Sequence, residues 1–333
     1  MWWLPQRKLD EKQMKTFRKP ISILLTCLAL TGMVAGINQL WACKGDRLPS
    51  EVNGGVATVS SAERNAAFAA QEAEAADAEA GYYETETERA AELAITPYEN
   101  LEQPAELKGR DEFLLFKSQF IISYDVNKMC PNYVCWSLTP GRAYGKVQRT
   151  NNFHGDPVMN ERTRVETFDY NGSGYDRGHM CPAGDNKNTD KAMDESFCMT
   201  NICPQNHNLN TGAWNDLEIQ CRSWAKNYGT LYICCGPIFD SPNPKTIGRR
   251  QGLKIAVPDR FFKVVLALGR VPKAIGFIYP NRACDGDMRD YAVSVDKVEK
   301  ETGMDFFYQL EDKQEKELER VCNPASWGIE VRV

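Results

Sequence analysis

Seven apolar runs lie in Glu106–Val333, each separated from the next by glycine, proline or asparagine. They are "EFLLF", "FIISYDV", "YVCWSL", "FCMTNICP", "TLYICCGPIF", "RFFKVVLAL" and "AIGFIYP". Short, alternating or continuous apolar runs bounded by turn residues read as strands. Helices are fewer. "TGAWNDLEIQCRSWAKNYG" carries Trp214, Leu217, Cys221 and Trp224 at 3-4-3 spacing, an apolar helical stripe that Gly229 closes. "SVDKVEKETG" and the charged "DKQEKELERV" read as two more helical segments. With so few helices to serve as crossovers, neighbouring strands must join by hairpins. The expected fold is α+β, with a mixed, mainly antiparallel central sheet flanked by helices.

Charge divides the chain into three parts. Met1–Cys43 has six basic and two acidic residues, Lys44–Ala105 has four basic and thirteen acidic, and Glu106–Val333 has thirty of each. The net charge of −5 therefore comes from the middle segment, which leaves the C-terminal part free to carry a basic face.

In the first part, Lys15, Arg18 and Lys19 precede the uncharged run Ile21–Ala42, which ends in "LWAC" at Leu40–Cys43. A basic flank before an apolar stretch is the layout of an export signal. Its 22 residues also suffice to span a bilayer, and "LWAC" looks like a lipobox. Residues 1–43 are accordingly expected to be a signal or lipoprotein-type anchor. The chain would then be exported, at the cell envelope or surface, attached to the membrane or secreted. Residues 44–105, rich in Ala and Glu without an apolar stripe, are expected to be an acidic tether. Residues 106–333 are expected to be the folded domain. Nothing in the sequence sets an oligomeric state.

Ten of the twelve cysteines follow residue 105. In an exported chain some of them are expected to pair. A zinc site is disfavoured, because no C-x-x-C pair occurs and the histidines lack finger spacing.

Only three histidines are present: His154, His179 and His207. His154, in "NNFHGDP", reads as a solvent-facing loop residue. His207 reads as a surface residue, with a substrate contact as the alternative. Glu218 and Arg222, four apart on the long helix, read as a surface ion pair, and Asn210 and Thr211 as its N-cap residues. The loop Lys245–Lys254, "KTIGRRQGLK", has four basic residues and no acid. It is either a solvated loop or a rim that tracks phosphates.

His179 sits in "YDRGH" (Tyr175–His179), followed by "TNICPQNHNLNTGAWNDLE" (Thr200–Glu218). D-R-G-H, then N-x-x-P-Q, L-N and W-x-x-L-E in that order, resembles the DNA/RNA non-specific endonucleases, the endonuclease G-like ββα-metal nucleases. The resemblance runs roughly from Trp136 to Arg320 and takes in "QRTNNFHGDP", "KAMDESF", "GPIF" and "TGMDFF".

It implies that His179 is the general base, Asn210 the direct ligand of Mg²⁺ (with Mn²⁺ as a substitute), and Glu218 the holder of metal-bound water. It further implies that Asn201 orients base and metal site, and that Arg177, Arg222 and Arg149 face phosphate. Asp176 would brace the turn. Cys181 departs from the family, where a small residue is common at that position.

The inventory suits phosphodiester hydrolysis. Imidazole can accept a proton from water near neutral pH. Mg²⁺ needs few protein oxygens, and arginines neutralise the phosphorane. The implied function is a Mg²⁺-dependent, sugar-non-specific endonuclease. It would cut DNA and RNA to 5′-phosphate ends and grip them mainly by the phosphate backbone. The alternative is an inactive nuclease fold that binds nucleic acid at the surface.

Overall fold

The computed structural model describes residues 99–329, so the expected anchor (1–43) and nearly all of the expected tether lie outside the described residues. The folded part begins ahead of Glu106. Leu101 is fully buried, and the Ala105 amide donates to the Asp305 carbonyl at 2.9 Å.

A seven-stranded, wholly antiparallel sheet forms the centre. Its strands are β1 (Phe113–Phe116), β2 (Ile121–Asp125), β3 (Cys130–Leu138), β6 (Leu231–Ile238), β9 (Arg260–Ala267), β10 (Lys273–Pro280) and β11 (Ala292–Val293), in that spatial order. Two short ribbons stand apart from it. One pairs β4 (Asp176–His179) with β5 (Ile202–Gln205), and the other pairs β7 (Thr246–Ile247) with β8 (Ile255–Ala256). The helices are α1 (Pro140–Ala143), α2 (Asp190–Ser196), α3 (His207–Thr211), α4 (Ala213–Tyr228), α5 (Val295–Thr302) and α6 (Asp312–Glu319).

The continuous apolar strands are explained by burial of the sheet on both faces. Successive side chains alternate, so one strand feeds two cores. Val134, Trp136 and Leu138 of β3 join Leu231, Ile233 and Cys235 of β6 and Phe261 and Val265 of β9 under α4, where Trp214, Leu217, Cys221 and Trp224 meet them. The intervening Tyr133, Cys135, Cys234, Phe262 and Val264 face the other way, onto Val295 and Val298 of α5 and the Met304–Leu310 segment. The same alternation carries Lys263 to the α4 side. There it is 1 % exposed, with its ammonium 4.5 Å from the Trp214 ring centroid and 5.3 Å from that of Trp136.

Three expectations need correction. "FCMTNICP" is not one strand: Phe197 caps α2, Met199–Asn201 forms a single 3-10 turn, and only the end of the run enters β5. The ten cysteines of the described residues are all free and eight are buried, so the expected disulfides are absent among them. The eight buried ones serve as small core residues instead. Finally, Asn210 and Thr211 do not cap α4, because the chain is already helical at His207. Asn206 caps that turn through its Oδ1, and the path bends at Gly212, where a Cβ would meet the Asn208 carbonyl at 2.6 Å. Among the described residues no helix is long and apolar enough to cross a membrane.

Candidate active site

The β4–β5 ribbon and the helices that follow bring the sequence-predicted residues together. In β4 the side chains of Arg177 and His179 share one face, while Asp176 and Gly178 share the other. Glycine is required at 178, since a Cβ there would run into the side chain of Gln205, which pairs with Asp176 in the ladder.

His179 is 7 % exposed and sits in an aromatic box. Its ring centroid lies 5.2 Å from Phe153 and 5.0 Å, edge-on, from Phe197. Short α2, capped by the Thr189 hydroxyl, delivers Phe197 to this position. The loop bearing Phe153 is tied down by Asp156, which accepts from Lys117 Nζ at 2.7 Å and from the Thr200 hydroxyl at 2.6 Å. Two of the expected phosphate-facing arginines flank the box. The Arg177 guanidinium lies 4.4 Å from the Phe153 ring centroid and that of Arg149 lies 5.2 Å from Phe197. Burial, reinforced by Arg149 and Arg177, drops the His179 imidazole to a pKa of about 3. The ring is therefore neutral at ordinary pH.

The backbone around His179 is held from below. The Trp214 indole donates to the His179 carbonyl at 3.3 Å, and the Met180 amide donates to the Asn201 carbonyl at 2.9 Å. Asn201 itself is fully buried. Its Oδ1 accepts from the Cys181 amide at 2.9 Å, and its Nδ2 donates to the Cys181 and Ser196 carbonyls, both at 2.8 Å. All of its polar capacity goes into fixing the main chain after His179. Its geometry is that of a positioning residue, without reach toward substrate or ion. Cys181, the departure from the family pattern, is buried in the main core.

Asn210 lies in α3 with its amide Nδ2 donating to Asp176 Oδ2 at 2.9 Å. That bond commits the nitrogen and leaves the Oδ1 carbonyl as the atom that could hold an ion. His207 Nδ1 lies 2.9 Å from the same Asp176 oxygen, so His207 is a surface partner of Asp176. Glu218 is half-buried on α4. Burial raises its carboxyl to about 7, opposed by Lys263 and then increased by Asp185, with Arg222 and Arg149 also lowering it.

Asn210 and Glu218 together offer hard oxygens, which fit Mg²⁺ or a similar ion better than zinc. Among the described residues, no three His, Cys, Asp or Glu side chains converge around Asn210. Such a site would leave most of an ion's coordination to solvent and substrate, as Mg²⁺ tolerates.

The expected Glu218–Arg222 ion pair is not the one formed. Arg222 Nη1 donates instead to Asp185 Oδ1 at 2.9 Å, and the Trp136 indole donates to the other oxygen of that carboxylate at 3.1 Å. Asp185, in the run that follows D-R-G-H, was missed as a site residue. So was Asn281, which accepts from the Asn206 amide at 2.7 Å and ties the β5–α3 turn to Pro204 and Pro258. A polar residue beside a motif hints at the first; no local signal marks the second.

His154 is half-buried and bridged by its backbone to Cys198, so it is not the free loop residue expected. The basic loop is anchored. Arg250 is bound to Asp169 with Nη2–Oδ2 at 2.6 Å, and Lys245 donates to the Tyr175 hydroxyl at 3.2 Å.

The mitochondrial nuclease EXOG of Danio rerio is 34 % identical over 216 residues, covering 61 % of this chain and 63 % of its own length. Mitochondrial endonuclease G of Bos taurus is 31 % identical, covering 61 % and 69 %. The chain thus spans less than two thirds of the EXOG relative. A solved EndoG/EndoGI complex matches with a TM-score of 0.59 and 28 % identity over 66 % of this chain and 96 % of that one. The family model of the DNA/RNA non-specific endonucleases matches residues 99–313. With that match across most of its length, and a β4–β5–helix unit presenting its motif residues, the chain belongs to the DNA/RNA non-specific endonuclease family.

Proposed function

We propose that the chain is a metal-dependent endonuclease that hydrolyses phosphodiester bonds in DNA and RNA and leaves 5′-phosphate ends. Mg²⁺ would be its ion, with Mn²⁺ as a substitute. The observation that carries this reading is the buried His179 ring, boxed by Phe153 and Phe197, with Arg177 and Arg149 on those same two rings.

His179 takes the proton from the attacking water, since a neutral imidazole is the only form able to accept one. Arg149 and Arg177 neutralise the phosphate. Its arrival offsets two of the causes that hold His179 low, so the imidazole becomes a stronger base once substrate is docked. Asn210 would hold the cation through Oδ1, with Asp176 fixing the amide's orientation and Glu218 offering a second oxygen. When bound, the cation supplies positive charge to the departing 3′ oxygen. Arg222, steadied by Asp185, adds charge beside Glu218. Contacts of this kind address the backbone, so both DNA and RNA are expected substrates.

The test is a time course on plasmid and on RNA with Mg²⁺, Mn²⁺ or chelator, with end-group analysis and a gel shift on the same protein. Metal-dependent cutting of both substrates to 5′-phosphate ends is the expected result. Binding without cleavage under any metal would overturn it in favour of a nucleic-acid-binding role.

We extend the proposal to location. The basic flank and the apolar run Ile21–Ala42 favour export and envelope attachment. Fractionation should recover the full chain with membranes, and a chain lacking Met1–Cys43 in the soluble fraction. A soluble cytoplasmic full chain would overturn this.

A further inference from the structure

On the face of the sheet opposite His179, α5 and α6 bring three carboxylates together. Ser294 caps α5, whose Val295 and Val298 pack into the core, leaving Asp296 exposed and Glu299 half-buried beside it. Glu319 ends α6. Ligand oxygens of Asp296, Glu299 and Glu319 all lie within 4.8 Å of one another.

Two acids on a helix face would be an ordinary solvated surface. Glu319 is the feature that does not fit that description. It is 5 % exposed, and its Oε1 is buried with no hydrogen-bond partner. Among the described residues, no lysine, arginine or histidine forms an ion pair with any of the three. Two cations on this side of the sheet, Lys297 and Arg260, both pair with Glu301.

A buried, unpaired acid among acids is costly unless a positive charge sits between them.

We propose that Asp296, Glu299 and Glu319 form a Ca²⁺ site that ties α6 to α5. Oxygens bound to one Ca²⁺, each about 2.4 Å from it, can stand no more than about 4.8 Å apart, and the three carboxylates meet that bound. One Glu299 oxygen already accepts from the Phe306 amide at 2.8 Å, which steadies that carboxylate. Ca²⁺ suits the irregular three-carboxylate set, whereas Mg²⁺ demands a near-ideal octahedron. The site is separate from Asn210 and independent of the nuclease reading.

The test uses the full chain, stripped of metal by chelator and then titrated with CaCl₂ by calorimetry. The variants are Asp296→Asn and Glu319→Gln. Each variant should lose one Ca²⁺ equivalent relative to the parent, or bind it about tenfold or more weakly. Ca²⁺ should raise the melting temperature of the parent and not that of Glu319→Gln. Without Ca²⁺, Glu319→Gln should melt close to the parent, because no ion pair is lost. Asp296→Asn changes only an exposed side chain, so it carries the test even if the buried variant folds poorly. Equal Ca²⁺ binding by parent and both variants, or no Ca²⁺ effect on the parent, would overturn the site. Tighter binding of Mg²⁺ than Ca²⁺ at this cluster would overturn the choice of ion.

Discussion

Asp176 holds Asn210: its Oδ2 accepts the Asn210 amide nitrogen at 2.9 Å, across the gap between β4 and α3. The motif aspartate thus touches the candidate ligand and decides which of its two side-chain atoms is available. Asp176→Ala should free the amide to rotate. Cleavage is expected to fall about 10- to 100-fold, as for other residues that orient a metal ligand. Half-saturation should shift to higher Mg²⁺ while DNA binding persists. An unchanged Mg²⁺ dependence would sink the assignment.

His179→Ala removes the proposed proton acceptor and leaves Arg149, Arg177 and Asn210 in place. Its cleavage should drop by roughly a hundred- to ten-thousand-fold with binding retained. The same variant reports on acid stability. The folded-state value of about 3 lies below the ordinary 6.5, so the unfolded chain takes up this proton first. His179 therefore makes stability fall as pH drops from about 6.5 toward about 3. Urea midpoints of the variant should decline less steeply across that window than those of the parent. Parallel declines would contradict a buried neutral ring.

Asp185 is 1 % exposed and satisfies both the Arg222 guanidinium and the Trp136 indole. Asp185→Ala leaves a charge and an indole N–H without their acceptor in the core. A loss of about 3–5 kcal/mol is expected, measured by chemical denaturation. A loss under about 1 kcal/mol, the scale of an exposed pair, would show that the pair is not structural.

Thiol reactivity separates the cysteines. Cys322 is exposed and Cys284 half-buried, whereas the other eight described cysteines are buried. Burial also pushes thiols such as Cys221 and Cys235 up to about 12, well away from the reactive thiolate. In native protein an alkylating agent should label Cys322 ahead of the other described cysteines, Cys284 more slowly and the eight buried ones hardly at all. After unfolding without reductant, all ten should react. Protected cysteines in the unfolded protein would mean that disulfides exist after all.

Periodicity and motif order determined much by themselves. Six of the seven runs give the antiparallel α+β fold because two-residue alternation and turn residues are local properties, readable along the chain. His179, Asn210 and Glu218 were legible because their identities and spacing travel together in sequence. Partner choice was not. Glu218 and Arg222 sit four apart on one helix, yet Arg222 turns to Asp185, because a buried carboxylate that lacks water needs the guanidinium more than a half-solvated one does. Asn281 and Phe153 reach the site from distant segments, and no local pattern encodes a contact made across the fold. The cysteines follow the same rule. Their number suggested cross-links, but side-chain direction within each strand and helix sends them into the core as apolar groups, a matter only tertiary packing decides.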